Sequence, residues 1–192
     1  MKYSKSKTLT GEIVGLFRSE KKNSLESTAY NTLEFAPEGI VGDNHAGMMV
    51  KTTGRLLPIY PRGTLIRNNR HWSMISEDEL AEIAQRMGVA EIRPEWLGAN
   101  IVVRGVADLT KLPPLSIFII RPDDGNDKIV LTNYGENDPC IAPHRKIVEK
   151  LGFEPPTGFV EAAIGRRGLV GWVEKTGVVS VGDTFKILLP KI

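Results

Sequence analysis

The stretch NIVVRGV, residues 100–106, places a run of β-branched residues before a glycine, which is typical of a short strand that ends in a turn. Similar runs recur at 11–17 (GEIVGLF), 116–120 (SIFII), 128–134 (KIVLTNY) and 184–190 (TFKILLP). The 19 glycines and 12 prolines spread along the chain favour turns between such runs. The pattern therefore predicts a mainly β fold with a few short helices, either a barrel or a compact antiparallel sheet.

Two segments carry the period of an amphipathic helix. In SEDELAEIAQRMG (76–88), apolar residues recur at helical spacing, and Ser76 and Glu79 have the spacing of a capping box. A shorter helix is predicted through HRKIVEKLG (144–152), with Pro143 suited to its first turn. Each segment ends at a glycine, the residue that most readily closes a helix.

The composition is that of an ordinary globular protein. The 192 residues are 41% hydrophobic and 25% charged with a net charge of +2, so we expect a single domain over residues 1–192. The near balance of charge argues against both nucleic acid and membrane as partners. One cysteine cannot form an internal disulfide, and the longest apolar run, LSIFII (115–120), is far shorter than the ~20 residues of a membrane helix. No signal-peptide pattern opens the chain, so we expect a soluble, reduced, cytoplasmic setting.

Charge is one-sided in the segment from Asn44 to Ser76, which contains no acidic residue. Because arginine binds phosphate oxygens in a bidentate way, this segment is suited to line a site for an anion. The alternative is a solvated surface whose acidic partners lie elsewhere in the fold, and the sequence leaves both open. The cations of this basic segment are Lys51, Arg55, Arg62, Arg67 and Arg70.

The loop GIVGDNHAG (39–47) combines backbone freedom with polar chemistry. Gly42 permits a left-handed backbone, Asp43 can cap exposed amides, and His45 can serve as a ligand or a proton carrier. Structural hydrogen bonding of the histidine is the simpler alternative. The three histidines and one cysteine of the chain lack the spacing of a zinc site.

The only cysteine, Cys140, lies in ENDPCIAPHRK, just before the second predicted helix. The positive end of that helix, with Arg145 and Lys146, would favour the thiolate, and His144 could act as a donor or base. Asp138 would oppose this effect. The alternative is a buried cysteine that packs as a small hydrophobe, and these residues alone do not decide between the two.

Five segments give the chain a resemblance to a known family. In order they are GIVGDNHAG, RNNRHWSMISEDEL, WLGANIVVRGVADLTKLP, NDPCIAPHRK and RRGLVGWVEKTGVVSVGDTF. With this order and a lone cysteine after a proline, residues 11–189 resemble the MOSC domain, found at the C-terminal end of molybdenum cofactor sulfurases and as free-standing bacterial proteins. The resemblance implies a MOSC-type β-barrel that binds the molybdenum cofactor (molybdopterin), a pterin dithiolene that carries a phosphate.

The resemblance also implies roles for particular residues. Cys140 would ligate molybdenum or carry sulfur, and a thiolate suits the first role because soft metals prefer sulfur ligands. Arg67 and Arg70 would bind the cofactor phosphate. Ser76 and Asn100 would make hydrogen bonds to the phosphate or the pterin.

The glycine-rich loop matches the family pattern G-x-x-G-D-x-H at Gly42, Asp43 and His45, for which shaping of the cofactor pocket is expected. The chain departs from amidoxime-reducing relatives at Gly98, where they place an arginine two residues before the asparagine. The phosphate contact of that arginine must therefore come from elsewhere or be absent.

Two classes of function follow from the resemblance. The first, which we favour, is a molybdenum-dependent oxidoreductase that reduces small N-hydroxylated compounds with Cys140 as the metal ligand. The second is a carrier, in which Cys140 holds sulfur as a persulfide or the protein delivers the cofactor. No pyridoxal-phosphate desulfurase domain is expected in this chain, so an electron donor or sulfur donor protein must be a partner. A barrel that has lost this chemistry is a third, plainer alternative.

Overall fold

The computed structural model describes residues 3–21, 24–121 and 128–191, which contain thirteen strands and three α-helices. The strands are β1 (Tyr3–Arg18), β2 (Thr28–Tyr30), β3 (Thr32–Ala36), β4 (Gly39–Ile40), β5 (Met49–Lys51), β6 (Leu65–Arg67), β7 (Trp72–Ser76), β8 (Ile101–Arg104), β9 (Ile117–Arg121), β10 (Ile129–Glu136), β11 (Leu169–Lys175), β12 (Gly177–Ser180) and β13 (Thr184–Pro190). The helices are α1 (Glu77–Met87), α2 (Ile141–Leu151) and α3 (Phe159–Ala162), and short 3-10 turns span Gly54–Leu56, Pro94–Trp96 and Leu109–Lys111. None of these helices is long and apolar enough to cross a membrane.

Seven of the strands close into a barrel in the order β13, β9, β10, β11, β7, β8 and β1. The barrel closes where β1 pairs with β13, from Thr8 opposite Leu188 to Glu12 opposite Thr184. Neighbouring strands are antiparallel except β7 and β8, which are parallel. Closure gives every barrel strand a partner on both sides, which satisfies the backbone hydrogen-bonding groups. The mainly β barrel predicted from the sequence is confirmed.

Apolar side chains form two clusters, one inside the barrel and one outside its wall. Inside, the ring of Trp72 meets that of Phe118 edge to face, with centroids 6.2 Å apart. Outside, the three helices pack against β7 and β8 around Ile75. Because side chains alternate across a strand, Ser73 lies on the same outer face as Ile75. This outer face carries the candidate site.

Helix α1 has the boundaries that its sequence predicts. Ser76 is the N-cap residue, and its Oγ accepts a hydrogen bond from the amide of Glu79 at 3.2 Å. Gly88 ends the helix with a left-handed φ of 72°. The Glu79 carboxylate is buried and accepts a hydrogen bond from the amide of Thr110 at 2.8 Å, which ties α1 to the Leu109–Lys111 turn.

Helix α2 begins three residues before the predicted start at His144 and includes Pro143 in its first turn, as predicted. Gly152 ends it with a left-handed φ of 76°. Cys140 is the N-cap residue, with extended backbone, and its side chain is exposed. The alternative of a buried, core-packed cysteine is therefore wrong, because the thiol lies at the surface where the chain enters the helix.

Candidate functional site

A cleft of about 140 Å³ opens on the barrel wall beside the helical layer. It lies where β7, β8 and β11 begin and where the chain passes from β10 into α2. Four of the eight candidate site residues line it: Cys140, Arg70, Asn100 and His45. The other lining residues are Leu25, Trp72, Ser73, Leu97, Gly98, Asn137, Asp138, Pro143, Arg167 and Val170.

The side-chain amide of Asn100, which is 3% exposed, holds two walls of the cleft together. Its Oδ1 accepts a hydrogen bond from the backbone amide of Ser73 at 3.0 Å. Its Nδ2 donates to Asp43 Oδ2 at 3.0 Å and to the carbonyl of Phe17 at 3.2 Å. Both N–H groups are thus used within the protein, so Asn100 acts here by positioning the cleft walls.

The carboxylate of Asp43 lies behind the cleft lining and is fully buried. Its Oδ1 accepts from the backbone amide of His45 at 2.8 Å and lies 2.9 Å from His45 Nδ1. Its Oδ2 accepts from the amide of Ser19 at 2.9 Å, in addition to Asn100. Burial acts to raise the pKa of Asp43, but the hydrogen bonds from His45 and Ser19 outweigh it and hold the pKa below its usual value. Asp43 is therefore an ionised anchor for the His45 imidazole.

Two guanidinium groups make the cleft suited to an anion. Arg70 donates from Nη2 to Oδ1 of Asn137 at 2.7 Å. Arg167, which is 5% exposed, donates from Nη2 to the carbonyl of Leu97 at 2.7 Å and lies with its guanidinium carbon 5.8 Å from the centroid of the Phe159 ring. Guanidinium groups held in this way are pre-organised for carboxylate or phosphate.

Sequence reasoning missed Arg167, although its segment RRGLVGW is among the five that carry the family resemblance. The same segment contains Gly171, where an added Cβ would lie 2.0 Å from the carbonyl of Thr132 and 2.3 Å from Cζ2 of Trp72. Only glycine lets the β11 backbone approach the Trp72 ring, which packs inside the barrel. The turn that carries Arg167 has no periodic signal, so only the clustering of arginine and glycine could have drawn attention to it.

Cys140 lies at the N-terminal end of α2, where the backbone N–H groups of the first turn have no intrahelical acceptors. The segment before it is fixed to the barrel by the amide of Asn137, which donates to the carbonyl of Gly168 at 2.9 Å. The exposed thiol therefore shares the cleft with Arg70 and Arg167 and lies on an anchored turn.

Four residues expected to bind the cofactor lie outside the cleft lining: Asp43, which is described above, and Arg67, Ser76 and Gly42. Arg67 is exposed on β6, with its guanidinium carbon 5.8 Å from the centroid of the Trp172 ring. Ser76 is buried and caps α1. Gly42 has a φ of 80°, and a Cβ there would lie 3.2 Å from Nη1 of Arg18, so this glycine shapes the loop rather than contacting the cleft.

The basic segment divides between the cleft and the surface. Arg70 lines the cleft, whereas Lys51, Arg62 and Arg67 are exposed on the β5–β6 hairpin and its connecting loop. The side chain of Arg55 lies outside the described residues. The solvated-surface interpretation therefore applies to Lys51, Arg62 and Arg67, whereas the anion site stays a prediction for Arg70.

The side chain of His144 is held by neighbours away from the cleft lining. Its Nε2 lies 2.8 Å from Oε1 of Glu154, and its Nδ1 accepts from the amide of Phe159 at 3.3 Å. The two ring nitrogens thus connect α2 to Phe159, the first residue of α3, and to Glu154 in the loop before α3. The expected role as a donor or base beside Cys140 finds no support in this arrangement.

Known proteins with similar sequences and structures indicate the family of this chain. The profile of the MOSC domain matches residues 61–186, which is more than half of the chain. This chain belongs to the MOSC domain family. The MOSC domain is related to molybdenum cofactor sulfurases, so the membership associates this MOSC protein with that cofactor in general terms.

Individual relatives agree with the membership. YuaD of Bacillus subtilis (strain 168), provisionally described as a metal-sulfur cluster biosynthesis protein, is 40% identical over 183 residues, covering 94% of this MOSC protein and 92% of YuaD. The crystal structure of Bacillus subtilis YuaD matches with a TM-score of 0.89 and 38% identity, over 96% of this chain and 99% of that one. YiiM from Geobacillus stearothermophilus matches with a TM-score of 0.61 and 12% identity, over 94% of this chain and 75% of that one. The YiiM likeness shows the fold alone.

The residues of the cleft fit the cofactor that the family name implies. The chain offers a thiol for a soft metal and two guanidinium groups for a phosphate. Within residues 3–21, 24–121 and 128–191, no group of three or more His, Cys, Asp or Glu side chains could hold a metal ion.

Proposed function

We propose that this MOSC protein binds the molybdenum cofactor in the cleft, with the Cys140 thiolate as the protein ligand of molybdenum, and reduces small N-hydroxylated compounds. The observation that carries this proposal is the exposed thiol of the only cysteine, in one cleft with two held guanidinium groups. When bound, the cofactor supplies the two-electron removal of oxygen from the substrate. The protein supplies binding, orientation and protons.

Arg70 and Arg167 would hold the cofactor phosphate. Gly98 supports the assignment of Arg167, because it lines the cleft at the place where amidoxime-reducing relatives carry an arginine. Its φ is 66°, and an added Cβ would lie 3.3 Å from Cδ2 of Leu25, so no long side chain fits there without displacement. Arg167 donates to the carbonyl of Leu97, the residue before Gly98. The guanidinium missing at residue 98 is thus supplied from residue 167.

Catalysis by this MOSC protein would need an electron donor protein, since its own residues offer no reservoir for two electrons. A small N-hydroxylated base would be the substrate, as the resemblance to amidoxime-reducing relatives implies. A reducing, cytoplasmic setting belongs to this proposal, because the Cys140 thiol must stay reduced to ligate a metal.

The test uses protein made in a host that synthesises the cofactor. We expect the protein to reduce a hydroxylaminopurine when given reduced benzyl viologen as an artificial electron donor. The matched control is Cys140→Ser, which keeps the shape of the N-cap and loses the soft ligand. Equal reduction by the two proteins would contradict the proposed ligand role.

Sulfur transfer is the second candidate, and two observations favour it. The Cys140 thiol is exposed, as a sulfur carrier requires, and the relative YuaD is provisionally described as a metal-sulfur cluster biosynthesis protein. In this case Cys140 would hold a persulfide between transfers. Mass spectrometry that finds an added sulfur atom at Cys140 in molybdenum-free protein, with no reductase activity in the loaded form, would select the carrier function.

A further inference from the structure

The buried carboxylate of Asp43 meets hydrogen-bond donors on both oxygens. The backbone amides of Ser19 and His45 and the Nδ2 of Asn100 are donors only, and they lie between 2.8 and 3.0 Å from the carboxylate. Three of the four contacts of the carboxylate come from groups that can only donate, which favours its ionised form. This agrees with its lowered pKa.

This arrangement sets the tautomer of His45. Nδ1 lies 2.9 Å from the same Oδ1 that accepts from the His45 backbone amide, so Nδ1 must carry a hydrogen to complete the contact. The proton-accepting nitrogen of the neutral ring is therefore Nε2. This atom makes no hydrogen bond in the part of the chain that the structure describes, and the His45 side chain, 47% exposed, lines the cleft.

From this geometry we propose that His45 is the proton donor of the cleft, and that Asp43 is its positioning residue. This role rests on the proposed function, since it needs an N-hydroxylated substrate bound beside Cys140. The other charged or titratable groups that line the cleft are Arg70, Arg167, Asp138 and Cys140. Among the groups that line the cleft, the His45 imidazole is held by a buried carboxylate through one ring nitrogen, which leaves the other nitrogen for exchange with solvent and substrate.

The reaction consumes protons, and His45 would supply the one that goes to the departing oxygen. Reduction of R–NH–OH to R–NH₂ and water consumes two electrons, which come from the electron donor, and two protons. The N–O bond breaks, and Nε2 of the His45 imidazolium gives its proton to the departing oxygen, which leaves as water. The second proton reaches the nitrogen from solvent. His45 then regains a proton from water, and the Asp43 carboxylate stabilises the imidazolium that forms.

Substitution with chemical rescue tests this step. We expect His45→Ala to retain its molybdenum and to reduce hydroxylaminopurine about 10²- to 10⁴-fold more slowly than wild type. Added imidazole should restore part of the rate, which a purely structural role would not allow. His144→Ala is the matched control, because that histidine lies outside the cleft lining, and its rate should be close to wild type and unaffected by imidazole.

A second readout needs no cofactor. Long-range ¹H–¹⁵N NMR on the cofactor-free protein should show the neutral His45 ring protonated at Nδ1. A neutral ring protonated at Nε2, or molybdenum-loaded His45→Ala with the wild-type rate, would overturn the role of His45 and leave the proposed function standing. Wild-type protein that takes up no molybdenum would instead overturn the proposed function and this step with it.

Discussion

The Nδ2 of Asn100 donates a hydrogen bond to the buried Oδ2 of Asp43 across 3.0 Å and joins two segments that are 57 residues apart in sequence. One segment leads into β8 and the other carries His45 into the cleft. Since Asn100 also accepts from Ser73 on β7, a single side-chain amide holds three parts of the site. The geometry of the cleft therefore depends on the hydrogen bonds of Asn100.

Replacement of Asn100 by Ala should destabilise the fold as well as the cleft. It would leave the backbone amide of Ser73 without its acceptor and remove one donor from Asp43. Buried groups left unsatisfied cost about 1–3 kcal/mol each, so we expect the free energy of unfolding to fall by at least about 1 kcal/mol. Urea unfolding measures this change, and Asn31→Ala, at an exposed position, serves as the control. Equal stabilities of the two variants would show that the Asn100 network does not support the fold.

Gly168 and Gly165 form a matched pair for the turn that presents Arg167. Both have left-handed φ angles, of 78° and 67°. A Cβ at Gly168 would lie 2.0 Å from the carbonyl of Met74, whereas a Cβ at Gly165 would meet nothing within 4 Å. We expect Gly165→Ala to cost about 1–2 kcal/mol from backbone strain alone and Gly168→Ala to cost clearly more. Thermal unfolding of both variants measures the difference, and similar costs would contradict the close approach.

Glu79 should make stability depend on pH. Burial raises the pKa of this carboxyl, although the hydrogen bonds from Thr110 act in the opposite direction. As the pH rises, an unfolded chain loses this proton first, so the contribution of Glu79 is greatest below the pKa of an ordinary glutamate and is lost as the pH passes the raised pKa. Each pKa unit is worth about 1.4 kcal/mol.

The variant Glu79→Gln removes this titration while it keeps an oxygen for Thr110. We therefore expect the stability of Glu79→Gln relative to wild type to increase between pH 4 and pH 8, as measured by urea unfolding at both values. Glu161→Gln is the control, because it makes the same chemical change at an exposed position. A parallel pH dependence in wild type and Glu79→Gln would contradict the burial effect.

Arg70 and Arg67 separate cofactor binding from general surface charge. Arg70 lines the cleft, and Arg67 is exposed on β6. Arg70→Ala should weaken retention of the cofactor by about 1.5–3 kcal/mol, the scale of hydrogen bonds to charged groups, and Arg70→Lys should recover only part of it. Arg67→Ala should lie within about 0.5 kcal/mol of wild type. Molybdenum retained after gel filtration measures this, and equal losses from Arg67→Ala and Arg70→Ala would remove the basis for the distinction.

The parts of the fold that depend on residues close together in the sequence could be predicted. Helix α1 follows from an apolar stripe, a cap and a glycine, all within one segment. The order of the barrel strands could not be predicted. Strand β7 pairs with β11, almost a hundred residues later, and the alternating pattern of a strand does not indicate which strand it pairs with.

The candidate site was predictable to a similar extent. Cys140 and His45 stand out by residue type alone, and both line the cleft. Ser76 was expected to contact the cofactor, although its place in a capping box already accounted for its hydroxyl group. Nothing in the sequence distinguishes Arg67 from Arg70. In the structure β6 ends at Arg67, which is exposed, and Arg70 follows the hairpin and lines the cleft.

The molybdenum content of the purified protein tests the proposed ligand role most directly. Because Cys140 is the only cysteine, Cys140→Ala removes every protein thiolate from the chain. For protein made in a host that synthesises the cofactor, elemental analysis should find about one molybdenum per wild-type chain and at least about tenfold less in Cys140→Ala. Loss of a metal ligand should lower the metal affinity at least as much as loss of a residue that hydrogen-bonds to a ligand, which lowers it about 10- to 100-fold. Equal molybdenum in the two proteins would contradict the proposal that Cys140 ligates the metal.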